Sequence, residues 1–192
     1  MPTFNVLIAT VGRETLQVML NSLKPQLKED DHLTIVFDGV QRKNCDVSEF
    51  KCHIHIFEEP VALKFWGHAI RNKYANLLEK TDFVMHADDD DRYVPEAFDQ
   101  LRIACTDTKD TLYIAKMCMG AIFPKDGKGI LGNVGTPCGI IPHEFNKKGK
   151  WGLYGGGDGF FYKDINKIIK NTVWLPNIIY LVRHCTLPKT NV

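Results

Sequence analysis

The chain has 192 residues, 44% of them apolar and 24% charged, with 24 lysines and arginines against 23 acidic residues. That length accommodates one sizeable core, and the balanced charge excludes a global field drawing the protein to nucleic acid or to an anionic membrane. Whatever charge-based chemistry the chain performs is therefore local.

In chain order, the apolar run NVLIAT (5–10), closed by Val11-Gly12-Arg13, predicts a strand buried on both faces. Leu16, Met19, Leu20 and Leu23 recur at helical spacing, and Pro25 sits where the pattern fades. HLTIVFDG (32–39) reads as a second buried strand ending in an acid and a glycine, and HIHIFE (53–58) as a third, alternating one. Trp66, Ile70, Tyr74, Leu77 and Leu78 form a helical stripe across FWGHAIRNKYANLLEK. DFVMHA follows as a fourth strand, and Pro95-Glu96 opens a helix running through Ala104.

This order predicts an α/β fold with a mainly parallel central sheet and helices on both faces. In such sheets ligands bind beyond the carboxyl ends of the strands, where Asp38 and Asp88 to Asp91 fall. In the second half, TLYIAKMCMGAIF (111–123) reads as one or two β segments and DGKGILGNVGTPCGIIP as hairpin-like. WGLYGGGDGFFYKDINKIIK passes from a loop into a helix, and NIIYLVRHC (177–185) is a last strand. With no repeat or linker, the expectation is a single domain over 1–192, with a nucleotide-binding half to about residue 105 and an acceptor-binding half after it.

The six cysteines (Cys45, Cys52, Cys105, Cys118, Cys138, Cys185) show no metal-site or disulfide-framework spacing. They read as reduced, mostly buried thiols in a cytoplasmic setting. The first apolar stretch, about six residues, is too short for a signal-peptide core or a transmembrane segment.

The densest chemical feature is DFVMHADDDD (82–91), a hydrophobic run ending in four carboxylates. Adjacent carboxylates raise one another's pKa unless something positive neutralises them. A divalent cation does so most simply: oxygen ligands select Mg²⁺ or Mn²⁺, which bind through one or two carboxylates while phosphate oxygens complete the shell. Strand alternation would put Asp88 and Asp90 on one face and Asp89 and Asp91 on the other. The plainer reading is a solvated acidic turn before a helix.

DFVMHADDDDRYVPEAF resembles the strand, Asp-x-Asp-Asp and trailing proline of GT-A-fold glycosyltransferases, especially the large inverting family 2 and its relatives. Along the chain, NVLIATVGR, VFDG, GHAIRN, GGGDGFF and YLVRHC resemble that family's other motifs in the same order. The resemblance implies a metal-dependent hexosyl- or deoxyhexosyltransferase using Mn²⁺ or Mg²⁺. Its donor would be a nucleoside-diphosphate sugar, with UDP the first guess and GDP possible, and its acceptor a glycan, glycoprotein or lipid-linked hydroxyl. Asp90 would ligate the metal, with Asp88 on the metal or the donor ribose. Thr10 and Asp38 would hold the nucleotide, and Arg13 and Arg71 would balance phosphate or carboxylate charge. His184 would serve the metal or diphosphate.

Asp158 is the implied base that deprotonates the acceptor hydroxyl. The family pattern has Glu-Asp where this chain has Gly157-Asp158. Plainer readings stand beside these: Asp38 as a turn former before Gly39, Arg71 as a surface ion pair, Asp158 as a helix N-cap, His184 as a structural histidine. Trp151 and Tyr154 read either as an acceptor-stacking surface or as core. Lys147, Lys148 and Lys150 read either as a solvated loop or as a receptor for an anionic acceptor. The alternatives are a sugar nucleotidyltransferase, which usually has more glycine after the first strand than TVGRET offers, and a non-catalytic nucleotide-sugar or carbohydrate binding module.

Overall fold

The computed structural model describes residues 1–187. In chain order its elements are β1 (Phe4–Thr10), α1 (Thr15–Leu23), β2 (His32–Asp38), β3 (His53–Glu59), α2 (His68–Tyr74), β4 (Phe83–Asp88), β5 (Arg92–Tyr93), α3 (Ala97–Ala104), β6 (Thr111–Cys118), β7 (Ile122–Phe123), β8 (Gly139–Pro142), α4 (His143–Asn146), α5 (Gly157–Ile168) and β9 (Asn171–Leu181). One sheet runs β3-β2-β1-β4-β8-β6-β9-β5, with β7 paired to β6.

Every residue of β1 is buried, because it lies between neighbours on both sides and helices on both faces. Phe4, Val6 and Ile8 join α1 and α3 in the larger core; Leu7 and Ala9 face the other way, onto Ile70 and Tyr74 of α2. The first four strands are mutually parallel. Ala9 lies opposite Asp88 and Thr10 opposite Phe37, so Thr10, Asp38 and Asp88 finish at one edge of the sheet.

Beyond β4 the sheet becomes mixed. β8 is antiparallel to both β4 and β6, β6 and β9 are parallel, and β5 is antiparallel to β9. The connection from β6 to β8 contains only β7 and a single 3₁₀ turn at Thr136–Cys138, and it returns the chain antiparallel to β6. The expected hairpin there is instead a loop delivering β8 between two strands from other parts of the chain.

Three further expectations are corrected. The helical stripe does not begin at Trp66: Lys64, Phe65, Trp66 and Gly67 have φ of 66°, 58°, 52° and 78°, and the helix spans only His68–Tyr74. The last strand starts earlier, at Asn171, and its register with β6 slips around Pro176, which has no N–H for the ladder. It also ends at Leu181, leaving Arg183 and His184 in a following turn. Finally, Cys118 and Cys185 form a disulfide, so two of the six expected thiols are paired. Cys52, Cys105 and Cys138 are free and buried, and Cys45 is free and half-buried. No helix among the described residues is long and apolar enough to cross a membrane.

Candidate functional site

The turn after β1 is built around a buried carboxylate. Asp89, 1% exposed, accepts hydrogen bonds from the Thr10 hydroxyl at 2.5 Å and the Val11 N–H at 3.4 Å, and pairs with Arg13. Thr10 Oγ1 in turn accepts the Gly12 N–H at 2.8 Å. Thr10 therefore shapes the turn with its own hydroxyl, while Arg13 reaches the cavity with half of its side chain exposed. Asp38 plays a similar part at the end of β2. Its carboxylate accepts the Leu63 and Lys64 N–H groups at 2.5 and 2.8 Å, which hold the left-handed segment Lys64–Gly67 in place. Gly67 is required there: a Cβ at its φ of 78° would lie 2.6 Å from that of Ala9.

The strand β4 stops at Asp88, so Asp89 to Asp91 lie in a turn and the alternation argument does not reach them. Solvent access nevertheless singles out Asp88 and Asp90, whose side chains are 36% and 25% exposed. Asp91 is buried and accepts the Arg183 N–H at 2.8 Å, tying β4 to the turn after β9. Burial, together with repulsion from Asp88 and Asp90, pushes its carboxyl up to about 7. Arg71, fully buried, donates to Asp88 Oδ1 at 2.6 Å and to the carbonyls of Trp66 (2.9 Å) and Ala87 (3.1 Å). Of the two partners the sequence left open for it, the carboxylate is the one it meets. Arg183 Nε donates to Asp90 at 3.2 Å.

Tyr180 was not singled out from the sequence, yet from β9 its hydroxyl oxygen accepts the Asp88 N–H at 3.0 Å. A strand tyrosine carries no local signal for this, because the partner is 92 residues away.

Asp158 stands in the first turn of α5, after the N-cap Gly156. Its Oδ1 accepts the Gly159 N–H at 2.8 Å, so it stabilises the helix start without being the N-cap residue. Gly157, where the family pattern has Glu, has no room for a side chain: a Cβ would run into the Gly152 carbonyl oxygen and lie 2.9 Å from His68 Nδ1. That His68 nitrogen bonds Gly152 O at 2.6 Å, and burial lowers the imidazole's pKa. Asn72 locks the same stretch by exchanging two hydrogen bonds with the Trp151 backbone, at 2.9 and 2.8 Å. Trp151 is core, stacked 4.3 Å from Phe161, and the exposed Tyr154 packs on Phe160; neither lines a cavity described below.

A cavity of about 880 Å³ gathers most of these groups: Thr10, Arg13, Asp38, Asp88, Asp90 and Asp158 all line it. Phe65 and Trp66 also border it, the latter 71% exposed; the sequence pattern had placed Trp66 on a packed helix face. A second cavity brings Asp88, Asp90 and Asp91 together with His184. Arg71 lines neither. Among the described residues, no group of three or more candidate ligands is arranged to hold an ion by itself. Two accessible carboxylates fit instead the mode in which Mg²⁺ or Mn²⁺ relies on phosphate oxygens for much of its shell.

No family model and no curated sequence matches the chain. Solved structures do. Residues 1–349 of S. aureus TarS superpose with a TM-score of 0.73 at 15% identity, over 94% of this chain and 60% of that one. The chain shares the GT-A-like fold of TarS. A complex of TarS 1–349 with UDP-GlcNAc matches at a TM-score of 0.72 and 14% identity over 97% of this chain, and another TarS structure contains UDP. HddC from Yersinia pseudotuberculosis matches at 0.54 and 11% identity, covering 92% of its own length. The present chain thus spans about three fifths of the TarS 1–349 structures.

Proposed function

We propose that the chain is a nucleotide-sugar glycosyltransferase, with a uridine diphosphate sugar as donor, a divalent cation at Asp88 and Asp90, and Asp158 as the base of an inverting transfer. The observation that carries this reading is the convergence of Asp88, Asp90 and Asp158 on one cavity at the carboxyl ends of parallel strands. The TarS complexes with UDP and UDP-GlcNAc favour a uridine nucleotide over a guanosine one.

Asp88 and Asp90, with His184 at the edge, would hold Mn²⁺ or Mg²⁺, which when bound supplies positive charge to a diphosphate leaving group. Asp38 fixes the loop against which the nucleotide would sit, and Arg13 and Arg183 bring positive charge to the cavity wall. In the transfer, the acceptor hydroxyl oxygen forms a bond to the anomeric carbon while the bond from that carbon to the diphosphate oxygen breaks. The bonding pair leaves on the diphosphate and the hydroxyl proton passes to Asp158. Asp158 Oδ1 accepts the Gly159 N–H, and among the described residues Oδ2 has no hydrogen-bond donor, which leaves it free to take that proton.

Asp158→Asn tests the assignment. Nucleotide binding by calorimetry should match the parent, and sugar transfer should fall by about 10²- to 10⁴-fold. A variant that transfers at the parent rate places the base elsewhere.

A further inference from the structure

The end of the sheet away from the cavity carries a second group of chemically active side chains. His32 opens β2 and His53 opens β3, and the two are register partners; His55 lies opposite Thr34. Side chains alternate along a strand, so all three histidines project from the face that Asn5, Leu7 and Ala9 share on β1, the face covered by α2. That helix is short and reaches only part of β3. Tyr74 packs on Phe57 with ring centroids 5.1 Å apart and donates to Glu59, and Lys73 pairs with Glu59. The next two positions on the same face, toward the start of β3, lie beyond that cover: His55 is half-buried and His53 exposed.

The three imidazoles converge. His32 Nδ1 lies 2.9 Å from His55 Nε2, and the rings of His32 and His53 lie 4.8 Å apart, centroid to centroid. Two ring nitrogens at that separation hold one proton between them, so one of the pair presents a lone pair to the other. A tetrahedral ion with metal–nitrogen bonds of about 2.0–2.1 Å sets neighbouring ligand atoms about 3.3 Å apart, so replacing the shared proton by a metal ion opens the pair by only about 0.4 Å. Among the described residues no hydrogen bond holds the His53 side chain, and its exposure lets it turn toward the same point. As the rings stand, the group is a two-nitrogen bite and not a complete three-ligand cage; the turn of His53 and water supply the rest.

Imidazole nitrogen suits zinc, nickel and copper, whereas magnesium and manganese take oxygen. The histidines also stand apart from the carboxylates: a seven-residue strand such as β2 separates its first residue, His32, from its last, Asp38, by about 20 Å. None of the three lines the cavities that hold Asp88 and Asp90.

We propose that His32 and His55, with His53 as third ligand, form a binding site for a divalent transition-metal ion such as Zn²⁺, which clips the edge strand β3 to β2. The site is separate from the cation proposed at Asp88 and Asp90 and does not depend on the glycosyltransferase reading.

The test titrates Zn²⁺ into the Asp90→Ala chain, in which the carboxylate pair is broken, and follows heat by calorimetry and the histidine ring signals by NMR. One ion should bind per chain, the ring signals of His32, His53 and His55 should shift while that of the buried His86 stays in place, and Mg²⁺ at the same concentration should move none of them. His55→Gln and, separately, the exposed His53→Gln should each weaken Zn²⁺ binding at least about tenfold. Zn²⁺ at about 100 times its Kd should raise Tm by about 5–10 °C, and melts in EDTA show that both variants are folded. No heat and no ring shift at millimolar Zn²⁺, shifts confined to other histidines, or an affinity unchanged in either variant overturns the site. UDP binding by the parent chain bears only on the glycosyltransferase reading.

Discussion

Replacing Arg71 by Met separates a buried organiser from a phosphate ligand. The guanidinium is fully buried and joins the loop before its own helix to the end of β4, through the carbonyl of Trp66, the carbonyl of Ala87 and the carboxylate of Asp88. Breaking a buried ion pair by removing one partner costs about 3–5 kcal/mol. The Asp88 side chain, 36% exposed, regains some water, which lowers the penalty, whereas the two orphaned carbonyls each add about 1 kcal/mol. Methionine retains much of the packing on Trp151, leaving a net loss of about 3 kcal/mol. For a domain of this size that corresponds to a fall of about 6–12 °C in Tm, measured by calorimetry without nucleotide. Arg71→Lys should recover only part of it, because an ammonium cannot reproduce a planar fork aimed at separate acceptors. A fall below about 2 °C, combined with lost UDP affinity, would refute this reasoning and make Arg71 a direct phosphate ligand.

His86 supplies a pH dependence. It is fully buried, its Nε2 bonds Asn146 Oδ1 at 2.8 Å, and burial with the nearby Arg71 pushes its pKa down to about 3. Because the folded-state pKa lies below the unfolded value near 6.5, the unfolded chain binds more protons at intermediate pH and stability falls as pH drops below about 6.5. His86 alone should remove about 2 kcal/mol between pH 7.5 and pH 5, read from denaturant melts; His86→Gln should flatten the curve by that amount, and an unchanged slope would contradict the assignment. The Cys118–Cys185 disulfide predicts that the oxidised protein, unfolded without reductant, titrates four thiols with Ellman's reagent and not six. Cys185→Ser should also loosen the turn carrying Arg183 and His184, seen as faster amide exchange at those residues.

The parallel half of the fold was legible because three of its four strands are buried by their own neighbours, so NVLIAT, HLTIVF and DFVMHA carry the pattern locally, while the edge strand β3 shows it as alternation. The mixed half was not, since β8 pairs with β4 and β6 through contacts that its short sequence GIIP cannot specify. The carboxylate cluster illustrates both cases. Asp88 and Asp90 are the accessible pair, but not through strand alternation, which ends at Asp88: Asp89 is claimed by Thr10 and Arg13, and Asp91 by the backbone of Arg183. Trp66 was misread because its spacing to Ile70 and Tyr74 is helical, while the run of positive φ that breaks the helix depends on Asp38 holding Leu63 and Lys64 from another strand. The cysteine pair was hidden by a separation of 67 residues.

Isothermal titration of UDP into the parent protein and into Asp90→Ala, each with and without Mn²⁺, tests the central claim most directly. The account predicts binding to the parent that requires the cation, and affinity at least about tenfold weaker in Asp90→Ala with an unchanged melting temperature. Binding that ignores Mn²⁺, or that survives the substitution intact, would contradict it.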